Sequence, residues 1–257
     1  MTGGPAATGA GDPARTVALL WRHRRPIEPS RRGPRRGTSV DEIVAAATRI
    51  ADRDGLEGLT MRQVAGALGV GPMTLYSYVP GRAELIDLML DAAYLAMERP
   101  DHPDEGWRAR LRATAERNRA LFTAHPWAAA VATGRPPLGP GQFAKYEHEL
   151  RGLDGLGLDD LDRDAALAHL LDFVAGHARA RAAAAGTDAG TGVDDQGWWD
   201  VAGPALAELV DDAEYPTATR VGSAVGAAHG SAADPDRAWE FGLAVVLDGL
   251  ARHLDLP

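Results

Sequence analysis

Hydrophobic positions recur along this chain at the three-and-four spacing of α-helices, and no stretch alternates convincingly with the period of two that a strand requires. The sharpest pattern is Thr60–Val79, TMRQVAGALGVGPMTLYSYV. Thr60 and Gln63 stand at capping-box spacing. Val64, Ala65 and Leu68 then form a one-sided apolar stripe. Gly69 supplies the left-handed backbone position that a sharp turn needs, and Val70 plugs the turn into the core. Gly71-Pro72 opens a second helix, with proline at its favoured first position. Leu75 and Val79, at i and i+4, anchor that helix, and Ala65 is small where the two helices cross. The pattern predicts a helix-turn-helix. Met73, Thr74, Ser77 and Tyr78 fall on the outward face of the second helix. Short polar or flat groups of this kind meet base edges and phosphates without burying a charge. The competing reading is an ordinary helical pair in an all-α domain.

The same period predicts the neighbouring elements. Ser39 opens a second capping box with Glu42. Ile43, Ala47, Ile50 and Ala51 then mark an amphipathic helix that ends near Asp54-Gly55. Leu56 and Leu59 bridge to the helix-turn-helix, and Val79-Pro80-Gly81 is a turn. Arg82–Met97 is a further helix, with Leu85, Leu88, Met89, Ala92 and Leu95 on one face. Beyond the break at Pro100–Pro103, helices are predicted over Trp107–Ala124, from His125-Pro126-Trp127, over Gln142–Leu150 and over Leu161–Ala185. Two more follow, over Trp198–Val210 with Pro204 inside and from an Asp234 cap with Pro235 at the first position. Gly134–Gly141 and Gly186–Gly197 read as loops, and Asp212–Ala233 has little pattern. The last helix carries Trp239, Leu243, Val246, Leu247, Leu250 and Leu254 on one side and Phe241 and Val245 on another. An apolar surface that wide must be buried on more than one side. The expected fold class is all-α, with a helix-turn-helix domain over 38–98 and a second helical domain over 99–257.

Charge sharpens this division. The chain of 257 residues has a net charge of −9, yet the first hundred residues hold 13 Arg against 11 Asp and Glu, while the rest hold 14 Lys and Arg against 25. Eight arginines lie between Arg15 and Arg36 with Glu28 as the one acid among them. A basic end on an acidic body orients the molecule on a polyanion. Residues 1–37 read as a disordered basic arm, with a short helical or sticky segment at Thr16–Trp21. Prolines 26, 29 and 34 keep Arg22–Gly37 from forming a helix, leaving it to track phosphates or enter a minor groove. The absence of cysteine excludes disulfides, zinc fingers and thiol catalysis. No apolar run approaches the roughly 20 residues needed to span a bilayer, and Val17–Trp21 is too short for a signal-peptide core. A cytoplasmic protein with no membrane partner is expected.

Taken together, GLEGLTMRQVAGALGVGPMTLYSYV and the following PGRAELIDLM resemble the DNA-binding domain of TetR-family transcriptional repressors. The HPW stretch, the GRPPLGP loop, the Trp198-Trp199 pair and the WEFGL…LDGL helix resemble, more loosely, the C-terminal domain of the tetracycline-repressor branch. The resemblance implies a homodimer whose Leu161–Ala185 and Asp234–Leu254 helices pack as a four-helix bundle. It implies a palindromic double-stranded DNA operator, and a small-molecule effector that releases it from within the C-terminal domain. It assigns DNA contacts to Arg62, Pro72, Met73, Thr74, Tyr76, Ser77 and Tyr78. Arg82 stands where the family usually has a phosphate-contacting lysine. Candidate effector contacts are Phe122, His125, Trp127, Phe143, His169, Phe173, His177 and Trp198, although aromatics at helical spacing also serve a core. Magnesium-tetracycline repressors carry a histidine just before Gly-Thr-Arg-Pro. Ala132 stands there in this chain, which weighs against tetracycline and against a metal-dependent ligand.

No cofactor and no metal are expected. His169 and His177 lie roughly 12 Å apart along a helix at 1.5 Å per residue, too far to share an ion. The chain has no metal-spaced cluster, GxSxG or phosphate-cradling glycine loop. Asp159-Asp160 and Asp194-Asp195 sit where acids cap helices. A non-enzymatic regulator is the reading favoured by these features, and an interaction protein of the same fold without specific DNA binding is the rival.

Overall fold

The computed structural model describes residues 8–24, 38–101, 105–131, 135–231 and 234–256, with 187–189 described by their backbone alone. Among the described residues the regular structure is helical and no strand occurs. Most of the basic arm (25–37) and Ala132 lie outside them.

The short helix expected at Thr16–Trp21 is present and begins at Pro13, and the described residues before it pack on the protein where a disordered arm was expected. Asp12 caps helix α1 (Pro13–Leu20) by accepting the Arg15 N–H at 2.8 Å. Leu20 is buried in the core. One buried leucine and a capped helix give this short segment a surface to dock with, which its Gly, Ala and Pro content conceals.

The next four helices form the predicted unit. α2 (Val40–Gly58) starts at Ser39 with a capping box closed in both directions. A kink at Gly55, with φ at +69°, falls where the amphipathic pattern ends. α3 (Met61–Ala67) begins with a second closed capping box, from Thr60 to Gln63. Gly69 takes φ at +65°, and the Val70 N–H returns to the Ala65 carbonyl. α4 (Pro72–Tyr78) follows, then α5 (Arg82–Ala96). Val64, Leu75 and Val79 are fully buried, so the stripes predicted for the motif are the faces that pack.

α5 departs from its one-sided pattern. It is buried continuously from Glu84 to Asp91, including three acidic side chains, whereas Leu95 near its end is exposed. Other elements surround it. After α6 (Trp107–Ala124) and α7 (Pro126–Val131), α8 (Pro140–Leu150) packs on α5. A side-chain carbon added at Gly141 would lie 1.9 Å from the Asp91 carbonyl oxygen, so glycine permits this approach. Asp91 accepts the Gln142 N–H at 2.8 Å and thereby caps α8 from another helix.

α9 (Asp160–Thr191) runs six residues past the predicted end. The expected Gly186–Gly197 loop shrinks to the few residues before α10 (Asp195–Ala207). α11 (Pro216–His229) occupies the poorly patterned stretch, stopped by Gly230 in the left-handed conformation. Neither α10 nor α11 contributes a buried residue. Trp199 of α10 packs against Gly226 of α11. α12 (Pro235–His253) is capped by Asp234, which accepts the Asp236 and Arg237 N–H groups. Trp239, Leu243, Leu247 and Leu250 bury one side of it against the body, while Phe241 and Val245 on another side stay 72% and 53% exposed. Among the described residues, no helix is long and apolar enough to cross a membrane.

Candidate nucleic-acid interface and ligand cavity

Most of the residues expected to contact DNA are exposed. Arg62, at the start of α3, and Pro72, Met73, Thr74, Tyr76 and Ser77 of α4 are all exposed, and Met73 is 80% accessible. Leu75 is the buried anchor that turns these neighbours outward. Tyr78 is half-buried and packs against the core. The Ser77 hydroxyl donates to the Thr74 carbonyl at 2.6 Å, which leaves its oxygen to accept from a partner.

Arg82 is placed differently from its neighbours. Its guanidinium donates to the Leu59 carbonyl at 3.0 Å and to the Leu56 carbonyl at 2.6 Å. Those carbonyls lie at the end of α2, where the Leu56 carbonyl also accepts the Leu59 N–H. Arg82 therefore ties the start of α5 to the segment entering α3.

A cavity of about 130 Å³ lies between α5 of the first unit and α6, α8 and α9 of the C-terminal part. Leu90, Tyr94, Phe122, Leu171 and Ala175 supply its apolar walls, with Asn118 and Lys145 as buried polar groups. Thr8 of the N-terminal segment also lines it, and its hydroxyl donates to the Val131 carbonyl. The polar side is one connected cluster. Asn118 Nδ2 donates to Glu149 Oε1 at 2.6 Å and to the Thr114 carbonyl at 2.9 Å. Lys145 Nζ donates to Glu149 Oε2 at 2.6 Å and stands 5.1 Å above the Tyr94 ring. Burial, aided by the charges of Glu149 and Asp91, pushes the Tyr94 phenol far above its usual range and keeps it neutral.

Of the eight expected effector contacts, Phe122 lines this cavity. The other seven sit elsewhere. His125 Nδ1 and Trp127 Nε1 lie 2.8 and 2.7 Å from the same Asp52 oxygen, joining α6–α7 to α2. Phe143 is exposed and meets Trp21 edge-on. His169 faces a separate groove between α9 and α12. Phe173 stacks on Trp239, and His177 lies tilted against the same ring. Burial, reinforced by Arg119 and Arg181, lowers the His177 pKa. Trp198 is exposed beside Trp199 on α10. Four of these groups, His125, Trp127, Phe173 and His177, join one helix to another. The cavity's polar cluster had a signal in the sequence, since Lys145 is the chain's one lysine and is followed by Glu149 at i+4. Asn118 and Asp52 left no such mark.

Among the described residues no cluster of three potential metal ligands occurs. Asp159 and Asp194 each accept a backbone N–H three residues on, as helix caps do.

Comparison with known proteins places both parts of the chain. Residues 37–89 match the family model of bacterial regulatory proteins of the tetR family, and residues 99–254 match that of the tetracyclin repressor-like C-terminal domain. The HTH-type transcriptional repressor DrrR1 of Streptomyces coeruleorubidus is 39% identical over 251 residues, covering 96% of this chain and 89% of its own. The crystal structure of apo ActR from Streptomyces coelicolor has a TM-score of 0.69 and 27% identity, over 86% of this chain and 99% of that one. ActR in complex with actinorhodin gives 0.66 at the same identity, over 84% and 96%.

Proposed function

This chain belongs to the TetR family of bacterial transcriptional regulators, and we propose from that premise that it is a ligand-released repressor, binding a palindromic operator as a homodimer in the cytoplasm. The observation that carries this reading is the position of α5. Its first residue, Arg82, braces the helix-turn-helix, and its later residues, Leu90 and Tyr94, wall the cavity. One rigid helix thus spans both functions. The Asp52 contact to His125 and Trp127 gives a second tie between the same two parts.

In this mechanism residues 38–98 form the DNA-binding unit, and 99–257 bind effector and dimerise. Pro72, Met73, Thr74, Tyr76 and Ser77 enter the major groove, with Tyr78 at its edge. Arg62 reads a guanine edge or holds a phosphate. Arg82 acts as the brace, keeping α3 and α4 at a fixed angle to α5. The exposed Phe241 and Val245 of α12 and Leu161 of α9 support dimerisation through these helices, where a second copy covers them. The family relative ActR, solved with actinorhodin, supports a small organic effector. A cavity of about 130 Å³ is smaller than the roughly 300 Å³ or more of most ligand pockets. Entry of such a molecule therefore enlarges it by shifting α5, α8 or both. That shift moves the two α4 helices away from the spacing of successive major grooves, roughly 34–36 Å. The effector acts only through its preference for the shifted state.

The test is selection from a random duplex library at near-physiological salt, followed by affinity as a function of salt. One enriched palindrome, bound by a dimer, is the expected result. Arg62→Ala should weaken that palindrome about tenfold or more. Retention of duplex DNA with no enriched motif would overturn the reading in favour of an interaction protein.

A further inference from the structure

Asn118 is 1% exposed, and both hydrogens of its amide nitrogen are spent on carbonyl and carboxylate acceptors. That assignment is forced, because neither the Thr114 carbonyl nor Glu149 can donate to an amide oxygen. Its Oδ1 is left buried with no protein partner, on a residue that lines the cavity. A buried acceptor left unpaired is destabilising, and the buried polar atoms of folded proteins are overwhelmingly paired. Lys145 is the complementary group. Its ammonium carries three hydrogens, of which one goes to Glu149 Oε2. Asn118 and Lys145 hold the two oxygens of one carboxylate and both line the cavity, so the spare acceptor and the spare donor belong to one cluster on its wall.

We propose that this cavity selects an uncharged, largely apolar molecule through one hydroxyl group, which donates to Asn118 Oδ1 and accepts from Lys145 Nζ. The proposal rests on the effector reading of the cavity and adds the chemical class of its occupant. A hydroxyl is both donor and acceptor, and it reproduces what a water would do there. A ketone or ether would accept from Lys145 but leave Asn118 Oδ1 unpaired. An ammonium would donate to Asn118 but stand against the Lys145 charge. A carboxylate would bring a second negative charge beside Glu149 and an acceptor against an acceptor. The walls set the rest of the molecule: Tyr94 and Phe122, both 6% exposed, offer flat rings alongside Leu90, Leu171 and Ala175, while the exposed Arg135 and Asp172 also line the cavity as charges of opposite sign.

The test uses the full-length chain and three probes on one ring system: 2-naphthol, 2-methoxynaphthalene and 2-naphthoate. Calorimetric titration should show 2-naphthol binding at least tenfold tighter than its methyl ether, with 2-naphthoate weakest. In Asn118→Leu, which keeps the volume, the naphthol and the ether should bind within about threefold of each other. Lys145→Met tests the accepting half in the same way and serves if the first variant fails to fold. Equal affinity of naphthol and ether for the native protein would overturn the proposal. So would a preference that survives both substitutions, tighter binding of the carboxylate, or binding of none of the three. The regulatory reading fails separately. If naphthol binds with the expected preference but leaves operator affinity unchanged, the hydroxyl site stands and its link to DNA release does not.

Discussion

The helix-turn-helix and the cavity satisfy their polar groups over different distances along the chain. In the DNA-binding unit the two capping boxes close within three residues, Ser39 with Glu42 and Thr60 with Gln63. Around the cavity the partners are remote. Asn118 reaches Glu149 across 31 positions, Asp91 reaches Gln142 across 51, and Asp87 reaches the Gly9 N–H across 78. The capping boxes can therefore form before their helices pack, whereas these three remote bonds form only by packing. Mutations should separate the two. Loss of a local cap should be mild and confined, whereas loss of a remote partner should strand a buried group.

The largest expected effect is at Glu149. Glu149→Leu leaves Lys145 and the Asn118 amide buried without their acceptor, which should destabilise the fold by about 3–5 kcal/mol. Adding Lys145→Met should recover a large part of that loss, because a buried charge pair replaced as a pair is close to neutral. Chemical denaturation of the two variants measures both numbers. A double variant no more stable than the single one would mean that Asn118, and not the charge, dominates the cluster. Gly141→Ala comes next. Its new methyl meets the Asp91 carbonyl oxygen, so α5 and α8 must separate, at a cost of about 1–3 kcal/mol. The same displacement touches the cavity wall, so the variant should also bind its operator more weakly than its stability loss explains.

On the other side of the comparison, Thr60→Ala removes one capping box and should cost about 1 kcal/mol. Amide exchange should accelerate at the first turn of α3 and hardly at all around the cavity. If protection falls equally in both regions, the two are one cooperative unit and the contrast drawn from their hydrogen bonds does not reach their stability.

The same contrast explains what was legible in the sequence. Caps, the Gly69 turn, Pro72 and the Leu75–Val79 pair are all short-range signals, and the structure reproduces them residue by residue. The exposed set on α4 follows from them, because fixing Leu75 inward fixes its neighbours outward. Arg82 could not be read in this way, since its acceptors at Leu56 and Leu59 become available only once α2 has kinked at Gly55. The cavity was least legible. Asn118 in an arginine-rich helix looks like a surface residue, and nothing near it in sequence announces Glu149. The GPG at 139–141 reads as loop punctuation, yet these residues are an approach point for α5. The N-terminal segment misled for a related reason. Its docking depends on backbone N–H groups of Gly9 and Asp12 donating to Asp87 and Glu84, and side-chain patterns carry no record of backbone donors.

The smallest expected effect also tests whether a remote contact must be a stabilising one. Asp87 is 1% exposed, and burial raises its pKa, with the Gly9 N–H working against the shift and the Glu84 charge adding to it. A carboxyl whose folded pKa is raised binds its proton more tightly in the folded state. Its contribution is therefore fully present below the unfolded value, about 4, and is lost as pH rises through the folded value. At neutral pH the carboxylate is a liability, offset in part by the bond to Gly9. Asp87→Asn keeps an oxygen to accept that N–H and carries no charge to desolvate. The melting temperature of the variant relative to the native chain should rise from about pH 4 upward and level off above the folded pKa. Asp91, raised by burial in the same way, is present in both proteins and cancels in the difference. A difference that is flat with pH, or that falls as pH rises, would show that the charged form of Asp87 is the one the fold prefers. The docking of the N-terminal segment would then join the Glu149 cluster as a contact held by charge.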